Sequence, residues 1–100
     1  MPDAVKSALR PEDDVIFLRN VGKAMQADFH MLGIHTVGEL ATRDADTLYL
    51  ELAALTGGRH DPCVHDTFAA AIHQAKTGEA LAWWAFTPDR KARQKAGSFV

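Results

Sequence analysis

The residues of this chain best suited to chemistry lie in one short stretch, Arg19-Asn20-Val21-Gly22-Lys23-Ala24. A helix that begins at about Gly22 leaves its first backbone amides uncovered at the positive end of the helix dipole. Lys23 and Arg19 add a positive charge on either side of those amides. Because this arrangement can bind an oxyanion, we predict a phosphate clamp made of Arg19, Lys23 and the amides of residues 22–24.

The same stretch must reverse the chain within very few residues, which favours a positive φ or a close approach at its outer positions. Asn20 suits one of them, because asparagine tolerates the left-handed conformation better than most residues, although its side chain can crowd a phosphate. Val21, at the centre, should insert into the core. The alternative is a turn that only connects two helices or contacts a partner protein.

Metal and thiol chemistry are weaker candidates. His60, Asp61, Cys63 and His65 crowd six residues, and no second pair of ligands lies elsewhere, so we expect no metal site. Cys63 lies in the first turn of a helix, where the dipole lowers a thiol pKa, but a small buried hydrophobe is the favoured role. With no triad, carboxylate pair or metal motif visible, we expect neither catalysis nor a cofactor.

Two further groups of residues are candidates for secondary phosphate contacts. Gly58 and Arg59 lie in a second tight turn, but Pro62 removes an amide donor and Asp61 adds a negative charge, which favours a packing role. The basic tail supplies the other candidates, Arg90, Lys91 and Arg93. A solvated chain end is the alternative for this tail.

The aromatic residues Trp83, Trp84 and Phe86 form another cluster near the basic tail. Stacking on single-stranded bases is one role that such a cluster can have. We favour the simpler one, in which one tryptophan and Phe86 close the core while the second tryptophan is partly exposed.

The elements that position these residues are helices, because helix caps are frequent and alternating strand patterns are rare. Helix starts are expected at Pro11, near Gly22, at the capping box Thr36–Glu39, at Asp44 or Asp46, and at Asp61-Pro62. A short helix over 79–86 and a fraying basic helix after Thr87-Pro88-Asp89 should follow. The predicted buried positions are Val15, Ile16, Leu18, Met25, Phe29, Leu32, Leu48, Leu52, Leu55, Val64, Phe68, Ile72 and Ala75.

The order of these elements predicts a pseudo-repeat, in which two helix pairs with tight turns at 19–22 and 56–60 are joined by a connector helix. The expected fold is a single all-α domain over residues 1–100, a compact bundle of five to seven short helices. Its core should span about residues 11–86, with a basic and partly flexible tail over 88–100.

Charge and composition limit the function. The net charge of −2 argues against a strongly electrostatic nucleic-acid binder. Residues 90–100 hold four bases and no acid, so the other 89 residues carry a net charge of −6. No apolar run suits a membrane span, and Met1-Pro2-Asp3-Ala4 does not begin a secretory signal. With a single cysteine, we expect a cytoplasmic protein.

Two stretches carry resemblances to known proteins. The segment 18–24, followed by Leu32-Gly33-Ile34-His35-Thr36-Val37-Gly38-Glu39-Leu40, resembles helix-hairpin-helix proteins, although Asn20 stands where that family often has glycine. The segment 55–64, with Phe68 and Trp83-Trp84 after it, resembles the small bacterial pathogenicity-locus family, also described as mitomycin-resistance-like. These resemblances imply a tandem helix-hairpin-helix (SAM/HhH-like) fold and an association with DNA, but no catalytic residues.

The function expected from the sequence is therefore DNA binding without sequence specificity. The partner would be the backbone phosphates of duplex DNA, bound weakly and with a steep salt dependence. An accessory role in DNA repair or a stress response would fit. The alternative is a protein–protein adaptor that uses the same helical scaffold without nucleic acid.

Overall fold

The computed structural model of the chain describes residues 9–100, and this part is helical. The five α-helices are α1 (Lys23–Met31), α2 (Val37–Leu40), α3 (Ala45–Thr56), α4 (Pro62–Thr77) and α5 (Thr87–Ala96). Two 3-10 turns, Val15–Phe17 and Trp83–Phe86, accompany them. The described residues contain no strand beyond one isolated bridge between Asp14 and Thr36. The predicted all-α bundle of short helices is confirmed, while the predicted lack of a secretory signal concerns residues outside the described range.

The core is built around α4. Phe68 of α4 packs against Phe29 of α1, with 5.2 Å between the ring centroids, and both side chains are fully buried. Helices α2, α3 and α5 and the turn at Trp83–Phe86 also contact α4. The buried hydrophobic residues of this core are Val15, Leu18, Val21, Phe29, Ile34, Val37, Leu40, Leu48, Tyr49, Leu52, Phe68, Ala71 and Ile72. None of the described helices is both long enough and apolar enough to cross a membrane.

The predicted caps set most of the helix boundaries. The capping box of Thr36 and Glu39 forms in full at the start of α2. The carboxylates of Asp44 and Asp61 accept backbone N–H groups at the starts of α3 and α4. These interactions span only two or three residues, which is why the sequence alone identifies them.

The predicted first helix, from Pro11 to Leu18, is wrong. Only Val15–Phe17 is helical, as one 3-10 turn. The backbone of residues 11–15 instead forms hydrogen bonds with residues 35–38, at the start of α2. The amide of Val37 donates to the carbonyl of Asp13 at 2.8 Å, and the amide of Gly38 donates to that of Pro11 at 2.9 Å. A Cβ at Gly38 would lie 3.0 Å from the Pro11 side chain, so this close approach favours glycine. The arm before the turn at 19–22 is therefore not a helix.

Three expectations for α3 and α5 also need correction. Leu55 is 57% exposed, and Tyr49 takes its place in the buried face of α3, where its hydroxyl donates to the carbonyl of His60. Thr87 is the first residue of α5 rather than its cap, and its hydroxyl donates to Asp66 at 2.8 Å. The expected frayed tail is a helix to Ala96, followed by residues 99–100, which pack back against the core.

Candidate functional site

The turn at residues 18–22 has the conformation that the sequence predicts at two of its positions. Val21 is buried in the core next to Leu18, whose carbonyl accepts the Val21 amide at 3.3 Å. Asn20 has a φ of 74°, the only positive φ outside glycine among the described residues. Gly22 differs, because its φ of −96° and ψ of −172° are accessible to other residues. The positive φ at the outer positions is thus needed at Asn20 alone.

The side chain of Asn20 connects the turn to a distant segment. Its Nδ2 donates to the carbonyl of Leu81 at 2.8 Å, and its Oδ1 accepts the amide of Trp83 at 3.2 Å. The side chain is therefore turned onto the protein, where it does not crowd the amides at Gly22. The side chain of Asn20, which the sequence predicts to be part of a phosphate site, thus fastens the turn at 19–22 to the segment that leads into Trp83–Phe86.

Arg19 makes the same connection from the other side of the turn. Its amide donates to the side-chain oxygen of Gln74 at 2.8 Å, and its Nη1 donates to the carbonyl of Ala80 at 3.2 Å. The Arg19 side chain stays exposed, and no carboxylate of the described residues pairs with it within 4 Å. Its charge therefore remains available beside the turn.

The start of α1 is open to solvent. Gly22, Lys23 and Ala24 are exposed, and Gly22 as the N-cap offers no side chain to bond the first amides. A Cβ built at Gly22 would meet nothing within 4 Å. Lys23 lies in this first turn without a carboxylate partner among residues 9–100. Amides at a positive helix end together with an exposed lysine can hold a phosphate oxygen.

In the second turn, at residues 56–60, the side chain of Arg59 contacts other parts of the protein. The guanidinium of Arg59 lies 5.5 Å from the centre of the Tyr49 ring and donates to the backbone oxygen of Val100. Asp61 accepts the amide of Cys63 at 2.8 Å, which places a carboxylate at the start of α4. Gly58 is exposed, but the arrangement around it favours the packing role over phosphate binding.

The arginines of the tail are also engaged. Arg90 is 8% exposed, and its guanidinium donates to the fully buried Asp66, with 2.9 Å from Nη2 to Oδ2. Arg93 forms two parallel hydrogen bonds with Asp46, at 2.9 and 2.8 Å. The carboxylates raise the pKa of both arginines. Arg90 is thus buried, unlike the exposed phosphate contact expected from the sequence, and only Lys91 of the three candidates is exposed.

Comparison with known proteins identifies the family of this chain. A family described as "Pathogenicity locus" matches residues 13–92, which include α1 to α4 and most of α5. The chain belongs to the pathogenicity-locus family. It is similar to the "Mitomycin resistance protein McrB" of Streptomyces lavendulae, with 40% identity over 78 residues, 78% of this chain and 74% of the relative. No solved structure matches.

The polar residues around Cys63 in this pathogenicity-locus protein are directed to different partners. His65 contacts Asp46 through Nε2 at 2.6 Å, while His60 contacts the Thr56 hydroxyl at 2.7 Å. The neighbouring Asp61 carboxylate and partial burial raise the pKa of the Cys63 thiol, against the lowering expected from the helix dipole. Within residues 9–100 no group of three or more potential ligands is placed to hold a metal ion.

The aromatic cluster lies at the surface of the bundle. Trp84 is 60% exposed, and its ring meets that of Trp83 edge to face, with 5.7 Å between centroids. Trp83 and Phe86 are half-buried and lie outside the central core. An open groove of about 590 Å³ runs along this cluster, lined by Cys63, Trp83, Trp84, Thr87, Pro88, Arg90 and Lys91.

The contact between Asp46, Arg93 and His65 predicts how the stability of this protein depends on pH. Hydrogen bonds from Arg93, and then from His65, hold the pKa of Asp46 below its usual value of 3.8. A lowered folded-state pKa adds stability above pH 3.8, and that stability is lost as the pH falls through the folded-state value. We expect Asp46→Asn to lower the melting temperature at pH 7 and to reduce its further fall on acidification below about pH 4.

Thermal unfolding of both proteins between neutral and acidic pH measures this difference. Glu12→Gln is the matched control, because the Glu12–Arg10 contact of 3.4 Å is largely exposed and should contribute little. Parallel curves for Asp46→Asn and the unchanged protein would contradict the assignment.

Proposed function

We propose that this chain binds DNA through its backbone phosphates, without reading the base sequence, and that the turn at 19–24 is the contact. The observation that supports the proposal is the uncapped start of α1 at Gly22, with Lys23 and Arg19 exposed beside it. In this proposal the turn acts as a helix-hairpin-helix clamp whose first arm is reduced to the 3-10 turn at Val15–Phe17.

The residue at the N-cap of α1 favours an external ligand. Thr36, Asp44 and Asp61 cap three other helices of this chain with their side chains, as is common in proteins. Gly22 has the backbone angles of an ordinary cap and open space around it, so nothing within the described chain requires glycine. A phosphate at the first amides would require it, because a capping carboxylate would repel the phosphate and a side chain would obstruct its approach.

The binding should be weak and depend strongly on salt. The two exposed cations at the turn, with Lys91 as a helper, neutralise only a few phosphates, and the chain as a whole carries a net charge of −2. We expect a log–log salt slope of roughly −2 to −3 for two or three neutralised phosphates. Contacts to phosphates position a protein without specifying a sequence, which is why no preferred site is proposed.

The cellular role we propose is an accessory factor in DNA repair or a stress response, in the cytoplasm. The name of the Streptomyces lavendulae relative concerns resistance to mitomycin, and a resistance role there would agree with the stress-response part of this proposal.

Substitutions at Gly22 and Lys23 test the contact by fluorescence anisotropy with a labelled blunt duplex. Lys23→Glu should weaken binding at low salt by about tenfold and reduce the salt slope by roughly 1. Gly22→Ala should weaken binding while leaving the fold intact, because the added methyl group meets no atom of the protein but occupies the approach to the amides.

Gly58→Ala is the matched control for Gly22→Ala, since it makes the same change at an exposed glycine with open space around it. It should leave DNA binding unchanged. Binding that is insensitive to both Lys23→Glu and Gly22→Ala would rule out this turn as the contact.

The second candidate is the protein–protein adaptor, which the exposed apolar side chains favour. Phe17, Met31, Leu55 and Trp84 each expose about half or more of their surface. Exposed aromatic and methionine side chains are common where proteins contact partners. Absence of DNA binding at low salt would favour this candidate over the first.

A further inference from the structure

The groove beside Trp83 and Trp84 has walls suited to a flat aromatic group. Trp84 leaves 60% of its surface exposed, although tryptophan side chains are on average highly buried. Trp83 meets it edge to face, and Pro88 adds a further rigid apolar wall. An exposed indole face beside an open apolar slot can stack with a nucleobase.

The charges at the rim of this groove favour an anionic group on the ligand. Arg90 lines the groove, but its guanidinium is held by Asp66. Lys91 also lines the groove and is exposed, and Lys95 lies one helical turn further along α5. No carboxylate of the described residues pairs with either lysine within 4 Å. An aromatic wall with the exposed Lys91 at one edge matches a base joined to a phosphate.

The groove is joined directly to the turn at 19–24. Asn20 binds the amide of Trp83 and the carbonyl of Leu81, and Arg19 binds the carbonyl of Ala80. Trp84, whose ring is exposed, directly follows Trp83, and the amide of Trp83 is hydrogen-bonded to Asn20 in the turn at 19–24. A nucleic acid held at the turn would carry its neighbouring nucleotides towards the tryptophans.

We infer that this groove binds an unpaired nucleobase, stacked on Trp84, with its phosphate against Lys91. The inference rests on the proposed function, since it assigns a preferred substrate to the same surface, namely DNA with a single-stranded segment next to a duplex. Base stacking and phosphate contact are both tolerant of sequence, so the preference is for structure and not for a base sequence.

The test compares three labelled DNAs by anisotropy at low salt: an oligothymidine single strand, a blunt duplex, and the same duplex with an oligothymidine overhang. We expect the overhang to bind more tightly than the blunt duplex. Trp84→Ala should remove that gain and weaken single-strand binding about 5- to 150-fold, the range that one stacked base gives. Trp84→Phe, which keeps a ring, should restore part of the loss.

Intrinsic fluorescence gives a second readout, because the chain contains only two tryptophans and both lie at the groove. The single strand should quench this fluorescence. Lys91→Glu provides an independent variant at an exposed helical position, and it should weaken single-strand binding and reduce its salt slope by roughly 1.

The two proposals fail in different ways. Trp84→Ala should leave blunt-duplex binding unchanged, whereas Lys23→Glu should weaken the duplex more than the single strand. If the single strand does not bind, or if Trp84→Ala and Lys91→Glu both bind it as tightly as the unchanged protein does, the groove is not a nucleobase site, whatever the duplex result. That outcome would leave the exposed tryptophan as a surface for a protein.

Discussion

Replacing Asp66 with alanine should lower the free energy of unfolding by about 3–5 kcal/mol, the range observed when one partner of a buried ion pair is removed. Asp66 is fully buried on α4 and accepts hydrogen bonds from the guanidinium of Arg90 and the hydroxyl of Thr87. Without the carboxylate, Arg90 would remain a charge in a buried site with Gln94 and the weakly accepting Cys63 as its other side-chain partners. Urea unfolding followed by circular dichroism measures the loss.

The double variant Asp66→Ala with Arg90→Met is the informative control. It removes the unpaired charge together with its partner, and buried pairs replaced by apolar residues are often close to neutral in stability. We expect the double variant to be more stable than Asp66→Ala alone. If it is less stable, or if Asp66→Ala loses less than about 1 kcal/mol, then the pair does not hold α5 to α4 as described.

The Asp66–Arg90 pair also shows where prediction from the sequence ends. The four bases of the tail could be counted in the sequence, but it could not show that two of them, Arg90 and Arg93, pair with acids 24 and 47 residues away. Once Arg90 and Arg93 are paired with Asp66 and Asp46, the free charge of the tail is carried by lysines. A charge count assumes that every ion faces solvent, and this assumption fails wherever a helix packs back on an acidic neighbour.

Local features were predictable for the opposite reason. The capping box of Thr36 and Glu39, the Asp61-Pro62 helix start and the glycine after α4 each depend on residues two to four positions apart. The helix expected at Pro11 had equally good local features, yet the carbonyls of Pro11 and Asp13 and the amide of Val15 form hydrogen bonds with residues 35–38. Pairing with a distant segment is invisible in a local pattern, and here it overrode the pattern.

In the candidate site, too, the local features were predictable from the sequence and the long-range contacts were not. The left-handed conformation of Asn20, the burial of Val21 and the exposure of Lys23 follow from residue types within one turn. The contacts that fasten the turn, from Asn20 to Leu81 and Trp83, join residues about 60 positions apart. The sequence could therefore suggest the clamp, but not its connection to the tryptophans.

That connection leads to the second large effect, a series of substitutions at Asn20. Asn20→Ala should lower the free energy of unfolding by about 3–4 kcal/mol, since the left-handed conformation disfavours alanine by about 1–2 kcal/mol and two hydrogen bonds are lost at about 1 kcal/mol each. Asn20→Gly keeps the conformation accessible and loses only the hydrogen bonds, so we expect about half of that loss. Urea unfolding of the three proteins gives both differences.

The same variants also test whether the contacts of Asn20 fix the position of the turn relative to Trp83. If the contacts of Asn20 hold the turn against Trp83, Asn20→Gly should change the tryptophan fluorescence of the folded protein as well as its stability, because Trp83 loses the acceptor of its amide. Equal stability of the alanine and glycine variants would show that the positive φ contributes nothing. A glycine variant as stable as the unchanged protein, with unaltered fluorescence, would show that the turn is positioned by Arg19 and Gln74 instead.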